Sequence, residues 1–429
     1  MGRVMRLTAA VCLCIGLLGV GGCTDIDLRT AIYGRTFSCT PVSPEDGGTV
    51  AERTPLLDWS DAGAAAKYQV QVAETEQLLG NAEVVETTVS EYELPGPVTI
   101  NDTFAWRARI VDEAGEPGEW SEVSSFSVAP SSTPVQIDTY DTGGNSFGPA
   151  VKGDYLFAAA GTAGLQILDF SDPSELKLVT TFESEPGAEP YSICISGDYA
   201  YVTEPNVTNS FKILDITAPA SPTVEGTLEE NGGWIVHIGM YTILSSNKVV
   251  FLDTSDLESP SKGNEFLVTS IDTDAGEAWK TVTDGVYVYT AVQNGLFIFK
   301  VYDESFVGSY DAGADIGYAG VAKKGDYAYL SAESSGLLII DVSDPANPVL
   351  AETFAYTGGI FADVIISGNY LFTNYTDGLL ILDITDPLAP EEVGTSDTGL
   401  AWGTVTGNYC LCGNWPEGEI YVVDLLPAE

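Results

Sequence analysis

A glycine, one variable residue and a tyrosine recur at Gly153, Gly197, Gly239, Gly285, Gly325, Gly368 and Gly407, spaced by 44, 42, 46, 40, 43 and 39 residues. In six copies an apolar run closing on Asp follows the glycine by 14 to 18 residues. These runs are Ile167-Leu168-Asp169, Ile213-Leu214-Asp215, Phe251-Leu252-Asp253, Ile339-Ile340-Asp341, Ile381-Leu382-Asp383 and Val422-Val423-Asp424. The fourth copy ends on Lys300 instead. A unit of this size cannot bury its own apolar face, so neighbours must stack on one another. Gly-Asp and Gly-Asn suit two-residue hairpin turns that need positive φ, and the tyrosine then starts a strand. Runs such as Gly336-Leu337-Leu338-Ile339-Ile340 are apolar on both faces, as a strand between two sheets requires. Turns such as Asp169-Phe170-Ser171-Asp172-Pro173 place an Asp where its carboxylate accepts backbone N–H bonds, and a Pro where the ladder must stop. The recurring aspartates are therefore read as structural.

Seven all-β units near 42 residues match the four-stranded blades of a seven-bladed β-propeller over 135–429. The chain ends soon after the third strand of the seventh copy. Val135 to Thr142 has strand character and should supply the missing outer strand, leaving no exposed edge. At these motifs the chain resembles the LVIVD-repeat family of bacterial and archaeal surface proteins, which are propellers. The pattern is clearest in copies one, two, five and six, and degenerate in three and four. The resemblance implies a fold and brings no general activity. The Gly-His and Trp-Asp marks of WD-type propellers are missing.

Residues 38–128 read as short alternating strands with one large aromatic each, a small two-sheet β-sandwich. Trp59, Tyr68, Trp106-Arg107-Ala108-Arg109 and Gly118-Glu119-Trp120-Ser121 make this segment similar to fibronectin type III domains. Phe104 stands where that family usually has tyrosine. The three tryptophans fit core and hairpin positions better than a ligand face. The domain is read as a spacer, joined to the repeats by the proline-bounded linker 129–134.

Residues 1–22 carry two arginines and a short apolar run, the pattern of a signal peptide rather than a membrane span. Val20-Gly21-Gly22-Cys23 resembles a lipobox, which implies lipid attachment at Cys23 and a tether over 23–37. The expected location is the bacterial cell envelope, the outer membrane if the host is Gram-negative, with lipid as the membrane contact. After cleavage 15 basic residues face 62 acidic ones, a charge of −47. Such a chain does not seek nucleic acid, which needs a basic footprint. With His237 as the single histidine, Ser–His–Asp and Cys–His catalysis and poly-His metal sites find little support. Cys410 and Cys412 point the same way along a strand, a poor geometry for a mutual disulfide, and buried free thiols are expected.

An aromatic precedes each recurring glycine by five to seven residues: Phe147, Tyr191, Trp234, Trp279, Tyr318, Phe361 and Trp402. Around a closed ring these seven should gather at one mouth of the channel. They either wedge between blades or form a stacking platform for a sugar or a cation. Glu185, Glu189, Asp272, Asp274, Glu277, Asp315, Asp363 and Asp377 crowd the same loops and are read mainly as solvated surface. Asp272 to Glu277 loosely resembles the start of a calcium loop but lacks the rest of one, so no metal and no cofactor is assigned. His237 is read as packing. The resulting expectation is a non-catalytic scaffold that binds a glycan, a protein or an envelope component, with binding weakened by Trp279→Ala and Trp402→Ala. The alternative is a carboxylate- or calcium-dependent hydrolase or lyase acting on polysaccharide.

Overall fold

The recurring glycine has positive φ in all seven copies, between 52° and 92°, and each turn joins the first two strands of a four-stranded antiparallel sheet. The computed structural model describes residues 39–427 apart from 61–66, 113, 209, 273–275, 314–315, 318–319, 333–334, 357–362, 376–377, 399–401 and 415–416. The first sheet runs Phe147–Lys152, Tyr155–Ala159, Leu165–Asp169 and Lys177–Phe182 in simple order. Five more sheets repeat this order, with first strands Ser192–Ser196, Trp234–Ile238, Ala278–Thr283, Val321–Lys324 and Val364–Ser367. The seventh begins with Trp402–Thr406 and takes its fourth strand from Val135–Asp141. That strand pairs antiparallel with Glu419–Asp424, matching Tyr140 to Ile420 and Thr139 to Tyr421. Each first strand touches the next, and Phe147–Lys152 touches Trp402–Thr406. The first strands thus close a ring, and the arrangement is propeller-like.

The second and third strands of each sheet are buried on both faces. Leu156, Ile167, Ile213, Phe251, Phe297, Ile339, Leu380 and Val422 are all almost fully excluded from solvent. Successive clusters join neighbouring sheets, as where Phe157 and Ile167 of the first meet Val202 and Leu214 of the second. His237 lies half-buried on the first strand of the third sheet, stacked on Tyr201 at 4.0 Å with Nδ1 against Thr242 Oγ1 at 2.9 Å. Burial lowers its pKa.

The closing aspartates act as turn caps. Asp169 Oδ1 accepts from the Ser171 amide at 2.9 Å and from its hydroxyl at 2.6 Å. Asp215, Asp253, Asp341 and Asp383 accept the amide two residues on in the same way. Asp169, Asp253 and Asp341 are held below the ordinary carboxyl range, first by the serine hydroxyl and then by its amide. For Asp215 the amide of Thr217 leads and its hydroxyl follows. Because these values are depressed on folding, their stabilisation is complete above the unfolded value and drains away as pH falls through the folded ones. The melting temperature should therefore begin to fall below about pH 4, the ordinary carboxyl value. A thermal melt series from pH 6 to pH 2.5 tests this, and a flat profile would contradict it.

Ahead of the ring, residues 41–128 form two facing sheets. One orders Pro41–Ser43, Leu56–Trp59 and Glu91–Glu93. The other orders Gly48–Val50, Ser124–Val128, Thr103–Val111, Lys67–Ala73 and Val85–Thr87, its first pair parallel. Trp59 and Trp106 meet in the core with ring centroids 6.2 Å apart, and Tyr68 stands edge-on to Trp59. Phe104 stacks on Phe126 at 5.2 Å. Trp120 carries the guanidinium groups of Arg107 and Arg109 at 4.6 and 4.2 Å from its ring centroid. Gln71 and Gln69 hold these arginines from the neighbouring strand. The tryptophans thus serve packing and strand pairing. Among the described residues no helix is long and apolar enough to cross a membrane.

Candidate functional site at the channel mouth

Each first strand begins at one face of the ring and ends at its Gly-x-Tyr turn on the other. At the starting face four of the expected aromatics converge. Phe147 lies 4.3 Å from Tyr191 and 5.7 Å from Trp402, centroid to centroid. Tyr191 meets Trp234 edge-on at 5.9 Å, and Trp234 meets Trp402 at 5.4 Å. The last contact joins the third sheet to the seventh, across the channel, with the first and second sheets between them. Phe147 is buried, while Tyr191, Trp234 and Trp402 keep part of their surface in solvent. The Trp234 indole N–H has no acceptor among the described residues. That nitrogen is itself shielded from solvent, so what the ring offers at the mouth is its apolar surface.

Trp279 opens the fourth sheet, and its carbonyl accepts a hydrogen bond from Ser245 Oγ at 2.8 Å. Tyr318 and Phe361 lie outside the described residues, as do Cys23, Asp274, Asp315 and Asp377. Phe147 and Ala278 each sit beside a register shift in the pairing of their strand.

The acidic loop residues do not share one role. Asp363 was expected at the surface, but it is 2% exposed and forms an ion pair with Lys280 at 2.7 Å. Lys280 reaches it from the first strand of the fourth sheet, past the fifth, and also donates to Val364 O at 2.9 Å. The carboxylate accepts the Val364 amide at 2.8 Å and the Gly403 amide at 3.4 Å. Gly320 makes room for it, since a Cβ there would lie 2.7 Å from Asp363 Oδ1. One side of the mouth is therefore aromatic and the other ionic, joined at Trp402-Gly403. The composition of the loops hid this pair. Its one signal is the residue after each mouth aromatic, which is Gly148, Ser192, Ile235, Lys280, Ala319, Ala362 and Gly403. A single charge stands in that series.

Glu185 pairs with Lys212, which is 3% exposed and also bound to Glu204 at 2.9 Å. Asp272 accepts from Asn294 Nδ2 at 3.1 Å, and Glu189 and Glu277 are exposed. No group of three or more potential metal ligands gathers among the described residues, and residues 273–275 of the calcium-like segment are outside them. Cys410 and Cys412 are buried with their sulfurs 3.3 Å apart, and burial drives the Cys412 thiol well above its ordinary pKa. A shallow cleft of about 700 Å³ opens on the sandwich beside Glu74, Thr103, Phe104 and Ser125, away from the mouth. It is an open surface depression, and the convergent aromatics carry more chemistry.

Comparison with known proteins bears on the ring. Segments 143–184, 190–229, 275–306, 317–355 and 358–398 match the LVIVD repeat. The chain carries five LVIVD repeats. They include the fourth copy, although it lacks the closing Asp. The third and seventh sheets lie outside the matched segments. An uncharacterized protein of Archaeoglobus fulgidus is 24% identical over 132 residues, which is 29% of this chain and 20% of that relative. The match therefore spans about a fifth of the relative's length. A chain of a mitotic checkpoint complex superposes with a TM-score of 0.53 at 12% identity, covering 70% of this chain and 93% of the other. At that identity the likeness concerns the fold alone. BamB from Moraxella catarrhalis aligns with a TM-score of 0.47 at 13% identity, over 68% of this chain and 97% of its own.

Proposed function

We propose that this chain is a non-catalytic binding scaffold of the bacterial envelope, exported by residues 1–22 and lipid-anchored at Cys23. Each four-stranded sheet of the ring serves as one blade of a seven-bladed propeller, and residues 38–128 as a fibronectin type III-like domain. The propeller mouth takes a glycan, a protein or an envelope component. The observation that carries this reading is the convergence of Phe147, Tyr191, Trp234 and Trp402, with three rings partly open to solvent. Apolar faces of this kind stack on sugar rings or on flat side chains. The strong negative charge disfavours polyanionic ligands.

The geometry makes Trp234 and Trp402 the residues to remove. Against an array of neutral and amino-sugar glycans and envelope fragments, Trp234→Ala and Trp402→Ala should each weaken binding by about tenfold or more. Mass spectrometry of the mature chain should find acyl groups on Cys23. Binding unaffected by both changes would overturn the mouth as the site. Glycan turnover abolished by a chelator would overturn the non-catalytic reading.

A further inference from the structure

The second residue of the Gly-x-Tyr turn differs in a spatially ordered way. It is Asp in the first, second and fifth sheets, Met240 and Val286 in the third and fourth, and Asn369 and Asn408 in the sixth and seventh. Asn408 alone of the seven is buried. Its Nδ2 donates to Val98 O at 2.7 Å and its Oδ1 accepts the Ile100 amide at 2.9 Å, both in the sandwich. Asp in this place could not donate. At the neighbouring turn Asn101 of the sandwich, at φ 72°, reaches in beside Gly368. It donates to Ser367 O at 3.2 Å and accepts the Asn369 amide at 3.0 Å.

The closing aspartate of the seventh copy is recruited as well. Asp424 takes both oxygens to Arg53 of the sandwich at 2.7 Å, and the guanidinium lies 5.3 Å from the Tyr409 ring centroid. Val98 and Ile100 share one buried cluster with Tyr370, Cys410 and Leu425 of the ring. The linker adds a bond from the Ser131 amide to Leu425 O at 2.7 Å. Domain contacts within a chain are mobile by default unless apolar and extensive. Here a continuous core is sealed by three polar clamps at positions that repeat elsewhere without this role.

We propose that the sandwich is a fixed stalk, not a hinged spacer, and that Asn408, Asn101 and Arg53 set its direction. The strand Trp402–Thr406 shows the consequence, because Trp402 stands at the mouth and the docked Gly407-Asn408 turn follows at the other end. The sandwich occupies the turn face. Its first described residues leave at the end remote from the ring, where Thr40 and Ser60 pair. Strand Thr103–Val111, nine residues long, measures roughly 30 Å between these ends. The stalk therefore aims the aromatic mouth away from the N-terminal tether. This rests on the lipid anchor above only for identifying that direction as outward from the membrane.

Hydrogen exchange by mass spectrometry on the full chain tests the clamp independently of any lipid or ligand. The amides of Ile100, Asn369 and Ser131 should exchange as slowly as those of buried ring strands. Asn408→Asp should speed all three by about 30-fold, by removing a donor and burying a charge, with the fourth sheet unchanged. Arg53→Gln should give a smaller increase at the same amides, and serves if Asn408→Asp does not fold. Asp326→Asn, in an exposed turn, should change nothing. Fast exchange at these amides in the unaltered chain, or no response to either clamp variant, would overturn the proposal.

Discussion

Replacing Val135–Asp141 by a Gly-Ser stretch of equal length should open the ring and abolish its cooperative melt. The strand pairs with Glu419–Asp424 along its length apart from a register shift at Ile137, and Ile137 and Tyr140 pack on Leu411, Ile420 and Val422. Its backbone bonds contribute about 1 kcal/mol each. Each of the two side chains adds roughly 1 to 2 kcal/mol for partial burial. The sum is of the same order as the whole stability of a typical domain, about 5–15 kcal/mol. The variant should also self-associate, because Glu419–Asp424 would present an unpaired edge. A circular dichroism melt with analytical ultracentrifugation reads both effects. A peptide of residues 133–142 added in trans should restore a monomeric ring. A variant that stays monomeric and melts like the parent would show that closure contributes little.

That closing strand was legible in the sequence because every device around it is local. A Gly-x-Tyr turn needs positive φ at one residue, and an Asp-x-Ser turn needs one carboxylate and the amide two residues on. Repetition made the signal readable although copies three and four are degenerate, and the missing outer strand of the seventh copy pointed to Val135 to Thr142, of which Val135–Asp141 forms the strand. A further local device is steric. Glycines open several third strands, among them Gly378 at φ 149°, where a Cβ would lie about 1.8 Å from Ser396 O. The mouth aromatics were also legible as a set, since position relative to the turn fixes the face on which they stand.

Long-range relations outside the repeat pattern were not legible. Asn408 and Asn369 are visible as departures from Asp, yet their meaning depends on Val98, Ile100 and Asn101, some 270 to 310 residues earlier. Composition placed Asp363 with the solvated acids, because nothing near it in sequence shows that Gly320 makes room for it or that Lys280 reaches it. The single charge after a mouth aromatic was present as a clue. Its partner was determined by the closure of the ring.

Lys280→Met should cost about 3–5 kcal/mol, the penalty for leaving a buried carboxylate without its counter-charge. The two partners are not equivalent. Asp363 is 2% exposed and would retain only backbone donors, whereas the Lys280 side chain is 19% exposed and can turn to water. Asp363→Asn should therefore cost less, about 1–2 kcal/mol, since the amide can still accept from the Val364 amide. A Lys280→Met, Asp363→Leu double variant should recover part of the loss, because a well-filled apolar pair often equals a buried ion pair. Urea titrations of the four chains close the cycle, and equal single-variant losses would refute the asymmetry. The pair also bears on binding. Asp363 holds the Gly403 amide, so its displacement should release Trp402 from Phe147 and Trp234. Tryptophan emission should then shift red in Lys280→Met before any unfolding. Ligand affinity should fall with it even though Lys280 stacks on no sugar, which makes it a positioning residue for the aromatic mouth.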